Sequence, residues 1–81
     1  MLPMTARDEI LAALPSICAR SSDGTFSPRE VINELRRRGS AYAASTIRTH
    51  VVSRMCANAP DHHARTYDDF ERLTNGRYRQ K

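Results

Sequence analysis

Seven residues within ten positions, Ser45, Thr46, Arg48, Thr49, His50, Ser53 and Arg54, place short hydroxyls, an imidazole and two guanidiniums in a segment without a carboxylate. Short donors and acceptors beside long cations suit the reading of base edges and the holding of phosphates. Ala44, Ile47, Val51 and Met55 form an apolar stripe at spacings of three and four through the same segment. A helix with that stripe turned inward carries Ser45, Thr46, Thr49 and Ser53 on its outer side, with His50 toward one edge and Arg48 and Arg54 near the seam. Ser45 and Thr46 then lie near its start, where the helix dipole favours an anion. Thr49, His50 and Ser53 are placed for base edges, and Arg48 and Arg54 for a phosphate or a guanine.

A second basic cluster, Arg72, Arg77 and Arg79, brackets Asn75-Gly76. Asn-Gly between short alternating runs predicts a hairpin with a two-residue turn, in which Thr74 opposes Arg77, Leu73 opposes Tyr78, Arg72 opposes Arg79 and Glu71 opposes Gln80. Leu73 and Tyr78 then face inward, and Arg72, Thr74, Arg77 and Arg79 face out toward a phosphate backbone or a narrow minor groove. Arg77 follows the turn directly and is the first candidate for such a contact. Phe70 falls on the arginine-bearing parity, so a bend near Asp69 is expected to turn it inward.

The remaining chemistry-bearing residues support neither catalysis nor a metal. His62-His63, with Asp61, His50, Cys18 and Cys56, lack paired C-x-x-C or H-x-x-x-H spacing, and adjacent histidines on an extended segment do not readily share one ion. No nucleophile, base and oxyanion arrangement is recognisable. The expectation is therefore no enzyme, no catalytic residue, no metal and no cofactor.

Charge placement strengthens the polyanion reading. The chain has 81 residues and a net charge of +4. Between Leu35 and Pro60 stand Arg36, Arg37, Arg38, Arg48 and Arg54 with no acid, and from Arg72 to Lys81 the four cations again have none between them. Nearly all the basic residues are arginine, whose planar fork matches phosphate and guanine better than an ammonium does. At least one of Arg36, Arg37 and Arg38 is expected beside the phosphate backbone. A chain of this length supports one small core and no enclosed substrate cavity. The two cysteines are too few for a disulfide framework and point to reduced thiols in the cytoplasm, nucleoid-associated if the partner is DNA. No run of residues has the length and apolarity of a membrane span or a signal sequence.

Three helices and a hairpin must position these groups. Helix 1, about 6–20, is capped by Thr5 with Asp8 and carries Ile10, Leu11, Leu14, Ile17 and Cys18, with a kink or break expected at Leu14 ahead of Pro15. Thr25-Phe26 reads as a short strand that pairs with the hairpin. Helix 2, about 28–38, opens with the capping box of Ser27 and Glu30, has Pro28 at its first position, turns Val31, Ile32 and Leu35 inward and ends at Gly39. The recognition helix spans about 44–57, Ala57 to Arg65 forms a long loop around Pro60, and the wing spans about 66–80.

This order of strand, helix, turn, helix and basic hairpin resembles the winged helix-turn-helix superfamily, with Phe26 to Met55 and Phe70 to Gln80 carrying the likeness. The segment Arg38-Gly39-Ser40-Ala41-Tyr42-Ala43-Ala44-Ser45-Thr46-Ile47-Arg48-Thr49-His50-Val51 also looks like small helix-turn-helix modules of bacteria and their phages. The resemblance implies a single domain over 1–81, of α+β class and mainly α, with three helices, a small antiparallel sheet and a C-terminal wing. It implies binding to double-stranded DNA, with the recognition helix in the major groove and the wing on the backbone or minor groove, in a transcriptional regulator or a DNA-targeting module. Homodimerisation through the first helix fits such a protein. The alternative is a winged-helix adaptor or phage-encoded inhibitor whose basic face docks an acidic protein partner.

Overall fold

The first two helices begin where a side chain satisfies their first free amides. In the computed structural model, which describes residues 5–57 and 67–81, helix α1 spans Ala6–Ala19, and its Thr5 and Asp8 form a reciprocal capping box. Helix α2 spans Pro28–Arg37 with the same device in Ser27 and Glu30 and with Pro28 in the first turn. Gly39, at φ +81°, ends α2 in a Schellman motif: its own N–H donates to the Arg36 carbonyl, and the Ser40 N–H donates to that of Leu35. No Cβ fits that left-handed conformation without strain.

Helix α1 continues through Pro15 where a kink or break was expected. Pro15 lies on the exposed side, while Leu14 and Ile17 beside it are buried. The missing N–H costs about 3 kcal/mol. Burying two such side chains returns roughly 1.5 to 3 kcal/mol each, enough to hold the helix together.

Helix α3, Ala44–Thr49, runs directly into a π-helical turn, His50–Arg54, whose signature is the Met55 N–H donating to the His50 carbonyl at 2.8 Å. An α-helix advances about 100° per residue, so residues four apart drift around it. The wider π turn takes nearly one more residue per turn, so a spacing of four there falls short of a full turn and offsets that drift. Ile47, Val51 and Met55 are thereby all fully buried. The recognition segment stops at Arg54 rather than near residue 57, because the backbone leaves the helix to pair: Phe70 N–H donates to Met55 carbonyl and Ala57 N–H to Phe70 carbonyl, each at 2.8 Å.

The hairpin consists of β1, Phe70–Arg72, and β2, Tyr78–Gln80. Its register differs by one residue from the expected one: Phe70 pairs with Gln80, Glu71 with Arg79 and Arg72 with Tyr78. The turn holds three residues, Thr74-Asn75-Gly76, closed by Leu73 N–H to Arg77 carbonyl at 2.8 Å and Gly76 N–H to Leu73 carbonyl at 3.1 Å. A two-residue turn would require positive φ at both Asn75 and Gly76, and Gly76 alone has it. The Asn75 side chain instead accepts the Arg77 N–H. With this register Phe70 and Tyr78 both face the core, the backbone bends at Asp69 as expected, and Leu73 is half-buried.

The expected strand at Thr25-Phe26 is present as a single bridge, with Phe26 and Tyr78 exchanging two backbone hydrogen bonds of 2.8 Å. The Phe26 ring meets Phe70 edge-on at 4.9 Å and stacks near Tyr78 at 6.3 Å. The core formed by these rings, with Ile10, Leu14, Val31, Leu35 and Ile47, lies between the three helices and the hairpin. The architecture is α+β, mainly α, a winged-helix-like arrangement of three helices and a C-terminal hairpin. The hairpin is stitched through Phe26 to the residues before α2 and through Cys56 to the end of the recognition segment.

Candidate nucleic-acid interface

The outer side of α3 carries the residues expected there. Ser45, Arg48, Thr49 and Arg54 are exposed, and Thr46, His50 and Ser53 are half-buried. Two of these side chains bond back onto the helix: the Thr49 hydroxyl donates to the Ser45 carbonyl at 2.9 Å, and His50 Nδ1 lies 2.8 Å from the Thr46 carbonyl. A carbonyl only accepts, so Nδ1 carries the proton and Nε2 of the neutral ring is an acceptor. Thr49 has likewise committed its proton and keeps its lone pairs. Arg48 supplies donors beside them. The N-cap of α3 is Ala43, which offers no side-chain acceptor to the first amides.

Sequence counting did not reveal how the arginines are distributed among carboxylates. Glu34, 2 % exposed, holds three of them: Arg20 at 2.8 Å, Arg37 at 2.7 Å and Arg38 at 2.8 Å. Hydrogen bonds from Arg37, Arg38 and Arg20, in that order, hold its carboxyl far below the usual range despite burial. Arg38 also donates to Ser16. Of the Arg36-Arg37-Arg38 run, Arg36 has no carboxylate partner among the described residues. The Glu34 spacings of three and four to Arg37 and Arg38 were a readable signal of pairing. The reach of Arg20 from α1 was not. An open cleft of about 290 Å³ beside this cluster is lined by Ile17, Arg20, Glu30, Asn33, Glu34 and Arg37, so its charges balance.

The hairpin arginines do not share a face. The observed register puts Arg72 on the Tyr78 face, opposite Arg79. Arg79 pairs across the strands with Glu71 at 2.6 Å. Arg77 turns back onto the body: its Nε donates to the Thr25 hydroxyl at 2.8 Å, and its Nη2 donates to the Thr25 carbonyl at 3.1 Å and to Glu30 at 2.9 Å. At the base of the hairpin Arg7 of α1 makes two bonds to Asp69, at 2.8 and 2.9 Å, and lies 4.1 Å from the centre of the Tyr67 ring.

Burial pushes the Tyr78 phenol up, the Cys56 thiol adds to the effect, and the charges of Arg72 and Arg48 oppose it. The histidine pair His62-His63 and the loop around Pro60 lie outside the described residues. Among the described residues no group of three His, Cys, Asp or Glu is placed to hold a metal ion, and no helix is long and apolar enough to cross a membrane.

Three helices and a C-terminal hairpin in a winged-helix-like arrangement, with a polar and basic outer face on the third, are what fold and site define. Residues 13–80 match a family described as a domain of unknown function, DUF7669, and the chain belongs to it. No curated protein and no solved structure matches the chain.

Proposed function

We propose that this domain binds double-stranded DNA, with α3 in the major groove and the wing against the neighbouring backbone, as a transcriptional regulator or as the DNA-targeting module of a larger assembly. The observation that carries this reading is the pattern of ion pairs. Carboxylates take up Arg7, Arg20, Arg37, Arg38, Arg77 and Arg79, while Arg48 and Arg54, exposed on the recognition segment, have no carboxylate partner among the described residues. Between these two cations Thr49 and His50 are held by their own helix, which lowers the entropy lost when they meet a base edge. Arg72 adds an exposed basic side chain on the wing.

Selection of bound sequences from random duplex DNA at low salt tests the proposal and reports specificity and half-site symmetry together. Enrichment of a common motif is expected. Failure to retain any duplex, with stoichiometric capture of an acidic protein that DNA does not displace, would replace it with the adaptor reading.

A further inference from the structure

We infer that Arg77 and Glu30 form a clasp that sets the position of the wing relative to the helix-turn-helix, so that Arg77 is a positioning residue and not a phosphate contact. The inference rests on the DNA-binding reading for its consequence and on the structure alone for the clasp. Three of the guanidinium's donor bonds are already spent within the fold, on the Thr25 hydroxyl, the Thr25 carbonyl and Glu30. The groups receiving them are themselves fixed. The Thr25 hydroxyl donates onward to Asp23 Oδ1 at 2.7 Å, and the same Asp23 oxygen accepts the Thr25 N–H and the Ser21 hydroxyl. The Glu30 oxygen that receives Arg77, Oε1, also accepts the Ser27 N–H at 2.7 Å as half of the α2 capping box. One carboxylate oxygen therefore starts the first helix of the helix-turn-helix and holds the wing.

The clasp has a mechanical counterpart next to it. Phe26 and Tyr78, each adjacent to a clasp residue, exchange the only backbone bonds that tie β2 to the segment before α2 among the described residues. A two-residue exchange is a weak hinge by itself, and a planar fork gripping both the backbone and a side chain of Thr25 resists rotation about it. The α2 end of the wing is thereby fixed, and Cys56 fixes its other edge against the end of the recognition segment. The position of Arg72, which pairs with Tyr78 across the hairpin, follows from both.

Two substitutions distinguish a clasp from a phosphate contact. Arg77→Lys keeps the charge and loses the fork, and Glu30→Gln keeps an acceptor for Ser27 and loses the charge that attracts Arg77. Hydrogen exchange of the Phe26 and Tyr78 amides, followed by NMR on the full chain without DNA, reads the clasp. Affinity for a mixed-sequence duplex across a salt series reads the interface, with Arg48→Ala as comparator. The clasp predicts that both variants lose roughly tenfold in protection at these two amides, the order expected for a charge-assisted hydrogen bond. It predicts weaker DNA binding in both with unchanged salt slope, and a double variant no worse than Arg77→Lys alone. Unchanged protection in both variants overturns the clasp. Tighter DNA binding by Glu30→Gln, with full retention by Arg77→Lys, overturns the positioning role, because it would mean that Glu30 holds back a phosphate-binding cation. Reduced protection in a protein that binds no duplex, wild type included, upholds the clasp and removes the DNA-binding reading.

Discussion

The salt dependence of duplex binding gives the proposed interface a number. Each phosphate neutralised on B-DNA contributes about −0.9 to the slope of log affinity against log salt. Counting five basic-segment arginines as phosphate contacts gives a slope near −4.5 by that rule. The ion pairs change the count: Arg77 is held by Thr25 and Glu30, Arg79 by Glu71, and Arg37 and Arg38 by Glu34. Arg36, Arg48 and Arg54 are the exposed arginines of the basic segments with no carboxylate partner among the described residues, and three contacts give a slope of about −2.7. Raising salt from about 50 to 200 mM should then weaken binding about 40-fold, where five contacts would give about 500-fold. Arg48→Gln should reduce the slope to about −1.8 and the same salt step to about 12-fold. Fluorescence anisotropy on a labelled duplex, titrated at four or five salt concentrations, measures both. A wild-type slope steeper than about −4 would show that the paired arginines exchange their carboxylates for phosphates, and an unchanged slope in Arg48→Gln would remove Arg48 from the interface.

Base preference should follow from the committed protons of α3. With Thr49 and His50 both donating to their own helix, the groups left to a base are acceptors, so selected duplexes should place the amino edge of adenine or cytosine opposite them. Thr49→Val should relax that position, and enrichment of guanine there in the wild type would contradict the assignment. Acid should destabilise the fold in a defined window. The Asp23 carboxyl, held by Thr25 and then Ser21, lies at about 2 against an ordinary 3.8, and Glu34 lies below its ordinary 4.5. Folded values below unfolded ones mean stability that is complete above those ordinary values and lost as pH falls through the folded ones. Melting temperature followed by circular dichroism should be flat above pH 5 and fall from about pH 4.5 toward pH 2, with Glu34→Gln lowering it at pH 7 and flattening the fall; a rise below pH 4 would contradict the pairing. Phe70→Ala removes the ring against Phe26 and should cost about 3 to 5 kcal/mol in urea denaturation. A loss under about 1 kcal/mol would mean that the hairpin does not close the core.

What was legible in the sequence was what local chemistry decides. Thr5 with Asp8, Ser27 with Glu30, Pro28 and Gly39 bound the first two helices as written, because caps and turn glycines act within a few residues. The stripe of Ile47, Val51 and Met55 told which side of the recognition segment faces inward. The hairpin was legible and its register was not. Asn-Gly favours a two-residue turn and is compatible with a three-residue one, and the choice between them falls to Phe70, which must meet Phe26 and take its place beside Cys56. Continuity through Pro15 was decided in the same way, by burial on the far side of the helix.

The candidate site was legible in its residues and misread in its charges, for one physical reason. Acid-free segments were counted along the chain, but an arginine's counter-charge is set by what lies within a few ångströms of its fork. Glu34 stands just outside the acid-free run and takes up two of its cations, and Glu30, 47 residues from Arg77, takes up a third. These pairings narrow the basic surface and give it direction. Spread over all the arginines, the charge would attract any polyanion from any side. With six of them matched to carboxylates, Arg48 and Arg54 remain beside a row of short polar side chains on the same segment, and the hairpin that carries Arg72 is tied at both edges. Under the proposed reading the carboxylates take part in recognition without touching the partner, because they decide which cations remain to meet it.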